Sequence, residues 1–122
     1  IREYRPAVVF APHVETASGM MLPDDYLQAV GAAVREVGGL FVLDCIASGT
    51  VWVNMQANLV DVLISAPQKG WSASPCGALI GLSERALARH NEQLFEIALG
   101  NITRAPRGVA QIRVTFSVDV NG

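Results

Sequence analysis

Two polar side chains stand at the ends of apolar runs, and together they have the chemistry of a carbonyl-handling site. Asp44 closes the run LFVLD, and Lys69, the single lysine of the chain, follows DVLISAPQ. An amine can condense with an aldehyde, and a carboxylate can hold a neighbouring ring nitrogen in its protonated, electron-withdrawing form. Ligands of open α/β sheets bind beyond the carboxyl ends of the strands, which is where such an acid and amine would be delivered. The same pair has a plainer reading, because strand-end aspartates often organise turns and lone lysines are usually solvated.

For the two groups to meet, the chain must present them on neighbouring strands. Ala7 to Phe10 is a short β-rich run, broken by Ala11-Pro12 ahead of the polar stretch HVETASG, and reads as a strand with a loop at its carboxyl end. From Pro23 the period changes. Leu27, Val30, Val34 and Val37 recur at helical spacing, Asp24 and Asp25 occupy the first turn, and Gly38-Gly39 stops the run, so a helix is expected here. Leu40 to Leu43 reads as a second strand ending at Asp44, with Ala47, Ser48 and Gly49 in the loop beyond it. Strand, helix and strand at this spacing form a βαβ unit, expected to cross over right-handed. Val51 to Leu59 is irregular, with Trp52 and Met55 assigned to packing. Val60 to Ile64 is the expected third strand, Ser65 to Pro75 the loop that holds Lys69, and Gly77 to Leu82 a fourth strand, after which Ser83 reads as the N-cap of a helix. Beyond His90 the texture differs. Gln111 to Val120 alternates strictly, as a half-buried antiparallel strand does, and Arg104 to Gly108 reads as a turn before it. The expected division is an α/β part at residues 1–89 and a short β-rich tail at 90–122.

Composition narrows the function classes. The chain has 122 residues, about one domain's worth, and its 51% hydrophobic content is too high for a disordered segment while charge and Gly/Pro interrupt every candidate membrane span. A net charge of -2 with eight scattered arginines offers no patch for nucleic acid or an anionic membrane. Cys45 and Cys76 lack CxxC spacing and read as buried, inert thiols in a reducing cytoplasm. No His, Cys, Asp and Glu set has metal-ligand spacing. Ser65 and Ser72 could meet a phosphate or simply form turns. The start IREYRPAVVF and the terminal Asn121-Gly122, a hairpin signal without a return strand, lead to the expectation of a fragment.

The acid and amine suit pyridoxal 5'-phosphate, with the lysine as Schiff-base former and the aspartate on the pyridine nitrogen. Residues 6–89, through HVETASGMMLP, LFVLDCIASG and DVLISAPQKGWSASP, resemble the large domain of the class V aminotransferases, of the alanine-glyoxylate and serine-glyoxylate type, within the fold type I pyridoxal phosphate enzymes. The resemblance implies an α/β fold that is a piece of that domain's mostly parallel sheet. It implies amino-group transfer between a small amino acid and a 2-oxo acid such as glyoxylate or pyruvate, in a homodimeric parent. By the same resemblance Lys69 is the Schiff-base residue and Asp44 the partner of the ring nitrogen. Ile46 packs on the ring, Gln68 lies beside the cofactor, and Thr16 reaches the ring hydroxyl. His13 and Glu15 match the family's loop, His13 as a hydrogen-bonding rather than a basic residue.

The family's phosphate-binding glycine segment and its substrate-carboxylate arginine are not among these motifs, so the chain alone is expected to be inactive. The tail, NITRAPRGVAQIRVTFSVDVNG, resembles instead the β-rich peptide-binding subdomain of the seventy-kilodalton heat-shock chaperones. Ile112 falls where those proteins line the peptide cleft, and Ala110 replaces their usual proline. The reading is therefore a junction of two pieces, a chimera, with a non-catalytic chain or a weak peptide-binding module as the alternative function.

Overall fold

Short apolar runs separated by turn residues can bury their backbone only by pairing, and the computed structural model, which describes residues 1–92, pairs them in a mixed sheet. In chain order the elements are β1 (Val8–Pro12), β2 (Val14–Glu15), β3 (Met20–Met21), α1 (Asp24–Glu36), β4 (Leu40–Asp44), β5 (Val62–Ser65) and β6 (Leu79–Leu82). The main sheet has the order β1-β4-β5-β6, with β1, β4 and β5 parallel and β6 antiparallel to β5. This is the mostly parallel α/β architecture expected from the sequence. β2 and β3 form a small antiparallel hairpin inside the stretch read as loop, because strands of two residues leave no alternation to detect.

α1 begins where Pro23 holds an extended backbone, carries Asp24 and Asp25 against its N-terminal dipole, and ends as Gly38 turns to φ 79°. Gly38 and Gly39 donate to the carbonyls of Arg35 and Val34, closing the last turn. Its buried stripe, Leu27, Gly31 and Val34, lies against the sheet residues Phe41 and Leu43, and these apolar groups with Val60 and Cys45 form the core. Gly31 is there for closeness: a Cβ would come within 2.6 Å of the Leu59 Cβ.

β5 starts two residues later than expected because Asp61 has another task. Its carboxylate is fully buried and accepts hydrogen bonds from the Phe41 N–H at 3.0 Å, the Ser83 hydroxyl at 3.1 Å and Arg85 Nη1 at 2.9 Å, while Arg35 Nη2 stands 3.7 Å away. Arg85 also donates to the Gly39 carbonyl at 3.0 Å. Ser83 caps the helix that follows, its Oγ accepting from the Ala86 N–H at 3.2 Å, and residues 84–92 are helical. The amino end of the sheet is thus riveted to the start of that helix, leaving the carboxyl end to carry the site.

Two packing expectations are corrected. Trp52 is 80% exposed, its ring edge-on to Trp71 at a centroid distance of 5.2 Å over the outside of the loops instead of in the core. Cys76 is exposed because the whole segment from 71 to 80 runs along the outside of the molecule; Cys45 is buried as expected, and both thiols are free. The alternating run from Gln111 to Val120, the Arg104 to Gly108 turn and Ile112 lie outside the described residues.

Candidate active site at the carboxyl end of the sheet

Parallel pairing fixes where the acid and amine emerge. Asp44 is the last residue of β4, in register with Pro12 of β1 on one side and Ile64 of β5 on the other, and Lys69 lies on the loop leaving β5. The two loops touch through their backbones: a Cβ on Gly70 would overlap Gly49, so only glycine lets the lysine loop settle on the turn after Asp44. The lysine loop is itself held by Lys69 N–H to the Ala66 carbonyl at 3.2 Å and by Ala73 N–H to the Pro67 carbonyl at 3.0 Å. Behind it the Trp71 indole N–H donates to Ser65 Oγ at 2.9 Å, so Ser65 serves the loop's own structure.

Asp44 is half-buried, and its Oδ1 accepts the Ile46 N–H at 2.9 Å in a tight turn. Oδ2 receives no donor among the described residues. Lys69 is exposed and forms no ion pair among them. Ile46 is half-buried next to the acid, while Gln68 is exposed beside the lysine. Thr16 is exposed in the turn between β2 and β3, with no side-chain hydrogen bond among the described residues. That turn is organised by Glu15, whose carboxylate takes the Ala17 and Ser18 N–H groups at 3.0 and 2.7 Å; these donors, the Ala17 amide foremost, pull its pKa below the usual carboxylate value.

One contact had no sequence signal. His13 is 3% exposed and its Nδ1 lies 2.7 Å from Oγ of Ser48, which is 6% exposed. Burial pushes the imidazole pKa down, with the nearby Asp24 charge acting weakly against it, so the ring is neutral at neutral pH. Burial likewise pushes the Cys45 thiol up, which suits an inert side chain.

An apolar cavity of about 210 Å³ lies beneath the lysine loop, lined among others by Cys45, Met55, Leu63, Trp52 and Trp71. Neither Asp44 nor Lys69 lines it, and of its three hydroxyls those of Ser48 and Ser65 already serve His13 and Trp71, leaving only Thr50, so it is set apart from the acid and the amine. What a flat heteroaromatic cofactor needs is an acceptor for a ring N–H, an amine and an apolar wall. Asp44 Oδ2, Lys69 and Ile46 supply these, and the set fits.

Comparison with known proteins finds two likenesses. Alanine–glyoxylate aminotransferase from Nostoc sp. is 30% identical, with a TM-score of 0.63 over 88% of this chain and 31% of its own. Ureidoglycine-glyoxylate aminotransferase from Bacillus subtilis is 26% identical, with a TM-score of 0.61 over 82% of this chain and 23% of its own. The family model described as Hsp70 protein matches residues 78–122, and the chaperone protein DnaK of Mycoplasma mobile is 54% identical over 39 residues, 32% of this chain and 6% of the chaperone. The chain thus spans under a third of the solved aminotransferases and a small part of the chaperone, and the two likenesses overlap from residue 78 onward. Its α/β part is similar to the fold type I aminotransferases and its C-terminal segment to the Hsp70 proteins.

Proposed function

We propose that this chain carries the cofactor-holding part of a pyridoxal phosphate-dependent transaminase that moves an amino group between a small amino acid and a 2-oxo acid such as glyoxylate or pyruvate. The observation supporting this most is the pairing of two strand ends. Asp44 keeps one carboxylate oxygen without a donor among the described residues, and the Lys69 loop rests on the turn that carries Asp44. Bound there, pyridoxal phosphate supplies an aldehyde and an electron-withdrawing ring. The chain's own part is to hold and to move protons. Lys69 Nζ would anchor the group and, once displaced by substrate, take and return the proton at the substrate carbon. Asp44 Oδ2 would hold the ring N–H, Ile46 would lie against the ring, and Gln68 and Thr16 would flank it. Both similar aminotransferases are glyoxylate enzymes, which supports a 2-oxo acid of that size as acceptor. The whole enzyme would be a homodimer, and free thiols at Cys45 and Cys76 suit a reducing cytoplasm. The proposal for this chain stops at cofactor capture, without turnover on its own.

Titration with pyridoxal phosphate tests this. A visible absorbance band should grow with saturation, vanish in Lys69→Ala, and need about 10- to 100-fold more cofactor in Asp44→Asn, since a charge-assisted hydrogen bond is lost. A band unchanged by either substitution would remove the assignment.

The Hsp70 match over residues 78–122 favours a second reading, a chimeric, non-catalytic chain with an α/β part at 1–89 and a peptide-binding segment at 90–122. A fluorescent hydrophobic peptide should then bind and lose affinity in Ile112→Asp.

A further inference from the structure

We propose that the buried His13–Ser48 hydrogen bond is a positioning device that fixes the turn carrying Asp44 and, through the Gly49–Gly70 contact, the loop carrying Lys69. The consequence for the cofactor rests on the reading above; the device itself does not. His13 grips that turn at both ends. Its main-chain N–H donates to the Asp44 carbonyl at 2.8 Å, and its ring Nδ1 stands 2.7 Å from Ser48 Oγ. The turn's other bonds hold only its near end: Cys45 N–H to the Ile64 carbonyl at 2.8 Å ties its first residue to β5, while Ile46 N–H to Asp44 Oδ1 at 2.9 Å and Ser48 N–H to the Cys45 carbonyl at 3.2 Å are local. Among the described residues, only His13, from the end of β1, hydrogen-bonds across to the far end of the turn. It is anchored in turn by the Leu22 N–H, which donates to its carbonyl at 2.8 Å.

Both side chains are nearly sealed from water, so the pair cannot exchange its bond for solvent without opening the site. A neutral imidazole and a hydroxyl can each donate or accept, so the bond survives in either tautomer. Just past Ser48 the chain turns at Gly49, with φ 62°, and abuts Gly70 next to Lys69. One buried bond therefore governs the relative placement of carboxylate and amine, groups that must be held closely to share a ligand.

The test uses the full chain without cofactor, followed by amide hydrogen exchange. In Ser48→Ala, exchange at the Ile46 and Lys69 amides should quicken about tenfold, the cost of leaving a buried partner unpaired. The Phe41 and Asp61 amides, at the other end of the sheet, should keep their wild-type rates. Ser48→Thr, which keeps the hydroxyl, and His13→Asn, which keeps a polar group facing it, should recover most of the protection. Unchanged rates at Ile46 and Lys69, or an equal rise at all four amides, would overturn the proposal. A parallel cofactor titration separates the two readings. If wild type binds and Ser48→Ala binds about tenfold more weakly with rescue in Ser48→Thr, the device acts on the cofactor site. If wild type takes up no cofactor, that reading fails while the exchange result still decides this one.

Discussion

His13 is a titratable ring held in a nearly dry contact, and this gives stability a pH signature. The unfolded ring takes up its proton near pH 6.5, and burial pushes the folded value lower. Between those values the unfolded chain binds more protons, so His13's contribution is present above about pH 6.5 and is lost as pH falls through the depressed folded value. Denaturant melts at about pH 7.5 and 5.5 should show wild type weakening toward acid and His13→Asn weakening less. Equal losses would contradict a buried neutral ring. Glu15 and Glu36, whose pKa values are lowered by backbone donors and by Arg2 respectively, lose their contributions only below about 4.5, outside this window. Gly70 offers a second test at this scale. Gly70→Ala must displace the lysine loop from Gly49, at a cost of about 1–3 kcal/mol and with loss of cofactor capture; unaltered capture would mean that the loop contact does not matter. Asp44 and Lys69 were legible because strand ends announce themselves in an apolar pattern. Ser48 was not, since its partner lies 35 residues away and a lone serine among small residues carries no period.

At the scale of elements, the amino end of the sheet depends on Asp61, a fully buried carboxylate whose main charged partner is Arg85. Arg85→Met would leave that charge to Ser83, the Phe41 amide and a more distant Arg35, and should destabilise the chain by about 3 kcal/mol in denaturant melts. Arg2→Ala removes only an exposed pair with Glu36 and should be nearly silent. A silent Arg85→Met would show that the rivet is not structural. Ser83 and Arg85 fall inside the segment matched by the Hsp70 family and bond to the α/β sheet. α1 was readable because acids, an apolar stripe and a glycine stop agree with one another. The start of β5 was not, because Val60-Asp61 looks like strand while the aspartate is spent on a buried network.

At the scale of the molecule, the sheet has, among the described residues, a helix on one face and little on the other. Val8 and Phe10 of β1 and Ile80 and Leu82 of β6 are 45% to 60% exposed on the face that also carries Asp44. A contiguous apolar surface of this kind favours association, so the purified chain should bind a hydrophobic dye and self-associate. Phe10→Lys with Ile80→Lys should suppress both without lowering the melting midpoint; unchanged association would point elsewhere. The mixed sheet could be foreseen from its runs and breaks, whereas the bare face could not, because a half-buried and a covered apolar residue are spelled alike. The central claim is that Lys69 is the amine that takes the cofactor. Borohydride reduction of the chain with pyridoxal phosphate, then peptide mass mapping, tests it most directly. A pyridoxyl adduct on Lys69, diminished in Asp44→Asn, is the predicted result; an adduct confined to the terminal amine, or none, would contradict it.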